Sequence, residues 1–148
     1  MSSLDDLYRE IILDHYRTPR NRGELEPPAV RVEGFNPLCG DEITVYLNVT
    51  DGVVTDIKLT GQGCSISQAS SSLMSAAVKG KSVDDARAVI ATFKDLMMGP
   101  SDVEHSPAEL RKMGELAALA GVVKFPVRIK CATLAWNTLT QALDETSS

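Results

Sequence analysis

The sequence predicts an α+β domain in which helices pack on one face of a small antiparallel sheet. Two observations predict this class. Alternating apolar and polar residues flank an Asp-Gly pair in the first half of the chain, which is typical of a hairpin. Apolar residues at helical spacing precede that hairpin and dominate after residue 64. The 148 residues, of which 43% are hydrophobic and 24% charged, suit a single domain over 1–148.

The first helix is predicted near the start of the chain. Ser3 with Asp6 resembles a capping box, and Leu4, Leu7 and Ile11 follow helical spacing. The pattern ends in residues 18–23 (TPRNRG), where proline and glycine interrupt it.

The strands follow the first helix. Asp51-Gly52 predicts a hairpin turn, and residues 30–35 are expected to add a third strand, because an isolated hairpin is marginal in water. The apolar residues expected on one face of the hairpin are Ile43, Val45, Leu47, Val49, Val53, Ile57 and Leu59.

The rest of the chain is predicted to be helical. One helix is expected over 65–79, with Gly80 as its C-cap, and a second is expected to start at Ser82 and Asp85. A third is expected over 106–121, and a last one from 128 or 129 to 144. Residues 96–105 are expected to form a loop.

Composition excludes several classes of protein. A net charge of −5, from 15 basic and 20 acidic residues, argues against nucleic acid as a partner. No stretch approaches the ~18 apolar residues of a membrane span. The first residues do not resemble a signal peptide, so we expect a cytoplasmic protein. Three cysteines, an odd number, argue against a disulfide framework.

The three cysteines and one aspartate are candidate metal ligands. Cys39 lies in a loop before the first hairpin strand, Cys64 between a strand and a helix, and Cys131 in the predicted first turn of the last helix. A helix N-terminus favours thiolate, which is both zinc ligand and nucleophile. With Asp41, three thiolates would complete a tetrahedral zinc site. Arg128 would then offset negative charge, as would Lys130.

A simpler interpretation stays open at this point. Free cysteines are often buried without a function, and these intervals are not the short pairs typical of zinc sites. We expect His15 to bond backbone at a helix end and His105 to be solvated. Met97 and Trp136 are expected in the core.

Four motifs in order resemble the U-type iron–sulfur cluster assembly proteins, whose members share an IscU-like or NifU-N-terminal-like fold. They are residues 7–21 (LYREIILDHYRTPRN), 36–41 (NPLCGD), 61–70 (GQGCSISQAS) and 131–136 (CATLAW). The chain is most similar to the SufU branch. Lys130 stands where the IscU scaffold branch has histidine, that branch's chaperone-recognition stretch is absent, and residues 98–122 resemble the SufU insertion.

The resemblance implies a zinc-dependent sulfurtransferase. It implies a zinc ion bound by Cys39, Asp41, Cys64 and Cys131, and a SufS-type cysteine desulfurase, which carries pyridoxal phosphate, as the sulfur donor. Sulfur would pass on to downstream Suf scaffold proteins. Alternatives are a scaffold that builds a transient [2Fe–2S] cluster on the same ligands, and a structural zinc protein without sulfur chemistry.

Roles follow for three residues. We expect Cys39 to accept sulfur, because its loop lets it move at low strain and the resemblance points to the same residue; Cys131 is the competing acceptor. Asp41 is expected to be the exchangeable ligand. Arg128 is expected to serve partner docking or the electrostatics of the site.

Overall fold

The computed structural model describes residues 3–37, 40–98, 116, 118, 119 and 126–146. These residues form a three-stranded antiparallel sheet and four helices, which confirms the predicted α+β class. In chain order the elements are α1 (Ser3–Arg17), β1 (Val30–Asn36), β2 (Asp41–Thr50), β3 (Val53–Gln62), α2 (Ser65–Val78), α3 (Val83–Met98) and α4 (Pro126–Thr146).

The sheet has the order β1-β2-β3, with β2 in the middle. Asn36 pairs with Asp41 where β1 ends and β2 begins, and Glu42 pairs with Gln62 at the end of β3. The turn between β2 and β3 places Asp51 at φ 54° and Gly52 at φ 74°, the left-handed conformations that a two-residue hairpin turn requires. This arrangement brings the start of β2 beside the end of β3.

One face of the sheet packs against the helices. α4 contacts β1 and β2 on one side and α2 and α3 on the other, so it lies at the centre of the helical layer. The rings of Phe93 on α3 and Trp136 on α4 stack with centroids 4.1 Å apart. The largest side chains in this core are fully buried: Leu47, Ile57, Leu59, Phe93, Trp136, Leu139 and Leu143.

The two most consequential errors in the predicted helix boundaries are the start of α4 and the end of α3. α4 begins at Pro126 rather than 128 or 129, since proline suits the first helical position. Cys131 therefore lies in the second turn of α4, where the helix dipole acts weakly, and not in the first. α3 extends to Met98, so the predicted loop begins too early; buried Leu96 and Met97 continue the apolar face of α3.

Several predictions fall outside the described residues. They include Cys39, His105, and most of the predicted helix over 106–121 and of the insertion over 98–122. Within that stretch, Leu116, Ala118 and Leu119 are described, and all three are buried. None of the helices in the described part of the chain is both long and apolar enough to cross a membrane.

Candidate metal centre

Asp41 is the first residue of β2 and is fully buried. It shares the core-facing side of the strand with Ile43 and Val45, which explains its burial. Its Oδ1 accepts a hydrogen bond of 2.9 Å from the backbone N–H of Cys64, and its Oδ2 lies 3.9 Å from Cys64 Sγ. Among the described residues no cation pairs with this carboxylate, although a buried charge needs a partner.

Cys64 is the N-cap residue of α2 and is partly buried. Its extended backbone, with φ −70° and ψ 167°, allows Sγ to accept a hydrogen bond of 3.4 Å from the N–H of Ser67. A side-chain acceptor at this position satisfies one of the unpaired N–H groups at the start of a helix. The thiol is thus fixed at the positive end of α2, as the sequence predicted.

The loop before Cys64 is held by Arg22, which follows α1. One guanidinium nitrogen of Arg22 donates to the carbonyl of Gly61 at 3.1 Å, and another donates to Gln68 Oε1 at 3.3 Å. The side chain therefore links the end of β3 to the second turn of α2. This bracing limits the freedom of the backbone that carries Cys64.

Cys131 reaches the same place from α4 and is fully buried. Its neighbour Ala132 accepts a hydrogen bond of 2.5 Å from Ser70 Oγ on α2, which joins the two helices beside the thiol. The burial of Cys131 follows from the packing of α4 between the sheet and α2.

Asp41, Cys64 and Cys131 converge from β2, α2 and α4. Their ligand atoms all lie within 4.8 Å of one another. Two ligands of tetrahedral zinc, a thiolate and a carboxylate oxygen, lie about 3.5 Å apart given the usual bond lengths. The observed 3.9 Å between Cys64 Sγ and Asp41 Oδ2 is close to that value. The donor set thus fits a zinc ion, as does a buried Asp41 carboxylate that has no cation beside it in the described part of the chain.

The remaining predicted site residues are placed as follows. Cys39 lies outside the described residues. Arg128 and Lys130 are exposed on α4, and Arg128 lies one helical turn before Cys131. His15 lies in the last turn of α1, at the helix end as predicted, and its ring is buried between α1 and α2 with Nδ1 2.7 Å from the hydroxyl of Ser72.

Sequence reasoning missed two residues that position the site. Ser70 was assigned no role, although a serine-rich stretch over 65–75 on a helix facing the core was a signal for buried polar contacts. Gly63 was singled out only as part of the motif over 61–70. Its closeness to Asp41 depends on the antiparallel pairing of β2 with β3, which no local pattern contains.

Comparison with known proteins identifies the family. The model of the NifU-like N-terminal domain matches residues 7–132. This chain belongs to that family. All three converging residues lie within the matched segment.

Relatives within the NifU-like family carry two kinds of name. The chain is 44% identical over 138 residues to the zinc-dependent sulfurtransferase SufU of Bacillus subtilis, covering 93% of this chain and 90% of the relative. It is 40% identical over 148 residues to the iron–sulfur cluster assembly scaffold protein IscU of Streptococcus pyogenes, covering 100% and 89%.

A solved structure agrees with the family assignment. The crystal structure of FiSufU from Fervidobacterium islandicum AW-1, described as a candidate iron–sulfur cluster assembly scaffold of the SUF system, superposes with a TM-score of 0.80. It is 32% identical, and the match covers 90% of this chain and 94% of FiSufU.

Proposed function

We propose that this chain is a cytosolic, zinc-dependent sulfurtransferase that takes sulfur from a SufS-type cysteine desulfurase and passes it to iron–sulfur cluster assembly. The observation that carries the proposal is the convergence of Asp41, Cys64 and Cys131 within 4.8 Å. Similarity to a relative named as a zinc-dependent sulfurtransferase supports it. Similarity to proteins named as iron–sulfur cluster assembly scaffolds supports cluster assembly as the destination of the sulfur.

Four residues would hold the zinc ion: Asp41, Cys64, Cys131 and Cys39. Cys39 precedes Asp41 by two residues, so chain connectivity keeps the two Cα atoms within about 7 Å. When bound, zinc keeps thiols ionised at neutral pH and stabilises the fold that brings its ligands together. The three described ligands come from separate elements, so the ion would fasten β2, α2 and α4 to one another.

Sulfur transfer would take place at Cys39. Its thiolate attacks the outer sulfur of the desulfurase persulfide and forms a new sulfur–sulfur bond. The original sulfur–sulfur bond breaks, the desulfurase cysteine leaves as a thiolate, and the transferred sulfur keeps its proton. Nothing is oxidised or reduced overall, so the step needs no further reactant. Asp41, bonded to the Cys64 amide, would be the ligand that yields to an incoming group.

Docking of the desulfurase would involve Arg128. Its guanidinium is exposed and lies one helical turn before Cys131, where a carboxylate on the partner could bind it with two hydrogen bonds. Lys130, also exposed, adds positive charge to the same end of α4. The pair would attract an acidic partner surface despite the net charge of −5.

The test combines metal analysis with desulfurase turnover. We expect about one zinc per colourless chain as purified, and faster release of alanine from cysteine by a SufS-type desulfurase when the chain is added. A Cys39→Ser variant should lose the stimulation. Brown protein with cluster absorbance would favour the scaffold function. A zinc-loaded chain that accepts no sulfur and leaves turnover unchanged would leave only a structural role.

A further inference from the structure

We infer that Gly63 is a positioning residue: the missing side chain at 63 provides the space in which the Asp41 carboxylate takes up its ligand orientation. The inference rests on the proposed metal-binding function and deepens it. Gly63 lies between the end of β3 and Cys64, directly against the Asp41 side chain.

The steric relationship between the two residues is direct. A Cβ atom added at Gly63 would lie 2.9 Å from Asp41 Cγ and 3.1 Å from Asp41 Cβ, and closer still to Oδ1. The contacts with Oδ1 and Cγ are shorter than Cβ atoms show in proteins, and the contact with Asp41 Cβ is tight, so the carboxylate would have to move. Because Asp41 is fully buried, the surrounding core offers it little room to do so.

The backbone of Gly63 does not itself require glycine. Its φ lies outside the left-handed region, unlike that of neighbouring Gly61, which is +140°. An alanine could therefore adopt the Gly63 backbone conformation without strain. At Gly61, in contrast, both the backbone and a clash with the carbonyl of Glu42 exclude a side chain. The requirement at position 63 thus comes from the space that Asp41 occupies.

The hydrogen bond from the Cys64 amide explains why this space matters. It holds Oδ1 on the backbone at 2.9 Å, which leaves Oδ2 beside Cys64 Sγ. One carboxylate oxygen is thus oriented by the protein while the other is available as a ligand, the usual arrangement of a carboxylate supported by an outer hydrogen bond. A side chain at 63 would push Oδ1 off the amide and turn Oδ2 away from the two thiols.

The main test is Gly63→Ala in the full chain loaded with cobalt(II), a spectroscopic substitute for zinc. We expect one metal per chain, since three thiolates remain. The visible absorption spectrum should change to that of Asp41→Ala, in which water can replace the carboxylate. An unchanged spectrum in Gly63→Ala would overturn the inference.

Gly52→Ala is the matched glycine control. Gly52 lies in the hairpin turn at φ +74°, and a Cβ there would meet nothing within 4 Å. This substitution should lower the melting temperature through backbone strain and leave the cobalt spectrum as in wild type. A change in the spectrum of Gly52→Ala would show that any loss of stability alters the site, and would remove the support for Gly63.

A double-variant cycle on the metal-free chain separates this inference from the proposed function. Overpacking should lower the melting temperature of Gly63→Ala by about 3–10 °C, or prevent folding. In an Asp41→Gly background the same substitution should cost little, because the clashing atoms are gone. An equal cost in both backgrounds would contradict the inference. Wild type that takes up no metal would instead overturn the proposed function, while the cycle still tests Gly63.

Discussion

The indole N–H of Trp136 on α4 donates a hydrogen bond of 2.9 Å to Ser70 Oγ on α2. The same hydroxyl donates its proton to the carbonyl of Ala132 at 2.5 Å. Ser70 Oγ thus acts as a donor to Ala132 and as an acceptor from Trp136. Ser70 and Trp136 are fully buried, and Ala132 follows Cys131 directly. This pair therefore joins α2, which Cys64 caps, to α4, which carries Cys131.

Ser70→Ala should reduce the free energy of unfolding by about 1–3 kcal/mol, because the buried indole N–H loses its acceptor. Thermal or urea unfolding of the metal-free chain measures the change. Ser71→Ala is the control: among the described residues, Ser71 Oγ bonds only the carbonyl of Gln68 in its own helix, at 2.9 Å. Its removal should cost less than about 1 kcal/mol. Equal losses in the two variants would contradict a role for the link between α2 and α4.

The sheet and most helices could be predicted because their signals are local. The alternation of apolar and polar residues before Asp51-Gly52 indicates which side of β2 faces the core. The predicted helix start at Ser82 is also found: its hydroxyl accepts a hydrogen bond of 3.0 Å from the N–H of Asp85. The start of α4 was predicted too late because a proline breaks a helix when it lies in the interior but favours a helix at the first position, where Pro126 lies. A single proline does not distinguish these cases.

The meeting of the three ligands could not be predicted from spacing. Asp41 and Cys64 become neighbours because β2 and β3 pair antiparallel and bring the start of one strand to the end of the other. Cys131 joins them through the packing of α4 against α2 and β2. Both are tertiary contacts between residues far apart in sequence. The ligand set predicted for Cys39, Asp41, Cys64 and Cys131 therefore depended on resemblance, and Cys39 stays a prediction.

Removal of zinc should destabilise the chain. The three described ligands lie on β2, α2 and α4, so a bound ion stabilises their association and binds the unfolded chain less well. We expect treatment with a strong chelator to lower the melting temperature by more than about 5 °C, and stoichiometric zinc to restore it. Magnesium is the control ion, since it prefers oxygen ligands and should not restore stability. Identical melting with and without zinc would argue against the site.

Asp41→Ala should keep zinc while losing function. Three thiolates and a water can still complete the coordination, so metal content should stay near one per chain. Stimulation of the desulfurase should fall at least about tenfold, as for residues that tune a metal site. Glu42→Ala is a suitable control, because the exposed Glu42 side chain points to the other face of β2. Wild-type stimulation by Asp41→Ala would show that the carboxylate has no exchange role.

Arg128→Ala should raise the apparent KM for the chain in desulfurase stimulation about fivefold or more, because a docking cation is lost. Zinc content should not change. The matched control is Arg87→Ala on α3. Arg87 pairs at 3.0 Å with Asp144, which lies about 24 Å along α4 from Arg128. An equal rise in KM for both variants would indicate a general charge effect. No rise for Arg128→Ala would remove this residue from the docking surface.

Cys39 should be the residue that carries the transferred sulfur. Cys64 and Cys131 are held by their helices: Cys64 Sγ caps α2, and Cys131 is fully buried in α4. Cys39 precedes Gly40, which has φ +67°, in the connection between β1 and β2. A thiolate in such a connection is the one that can leave the site without disturbing a helix.

Peptide mass spectrometry without reducing agent locates the sulfur after the chain is incubated with desulfurase and cysteine. The added 32 Da should be found on the peptide that contains Cys39 and be absent from Cys39→Ser, whose zinc content should be measured in parallel. A chain incubated with cysteine but no desulfurase controls for chemical sulfuration. Sulfur confined to the Cys131 peptide, or full loading of Cys39→Ser, would assign acceptance to another thiol. Since Cys131 is fully buried, sulfur on Cys131 would also require the residues that cover its thiol to move during transfer.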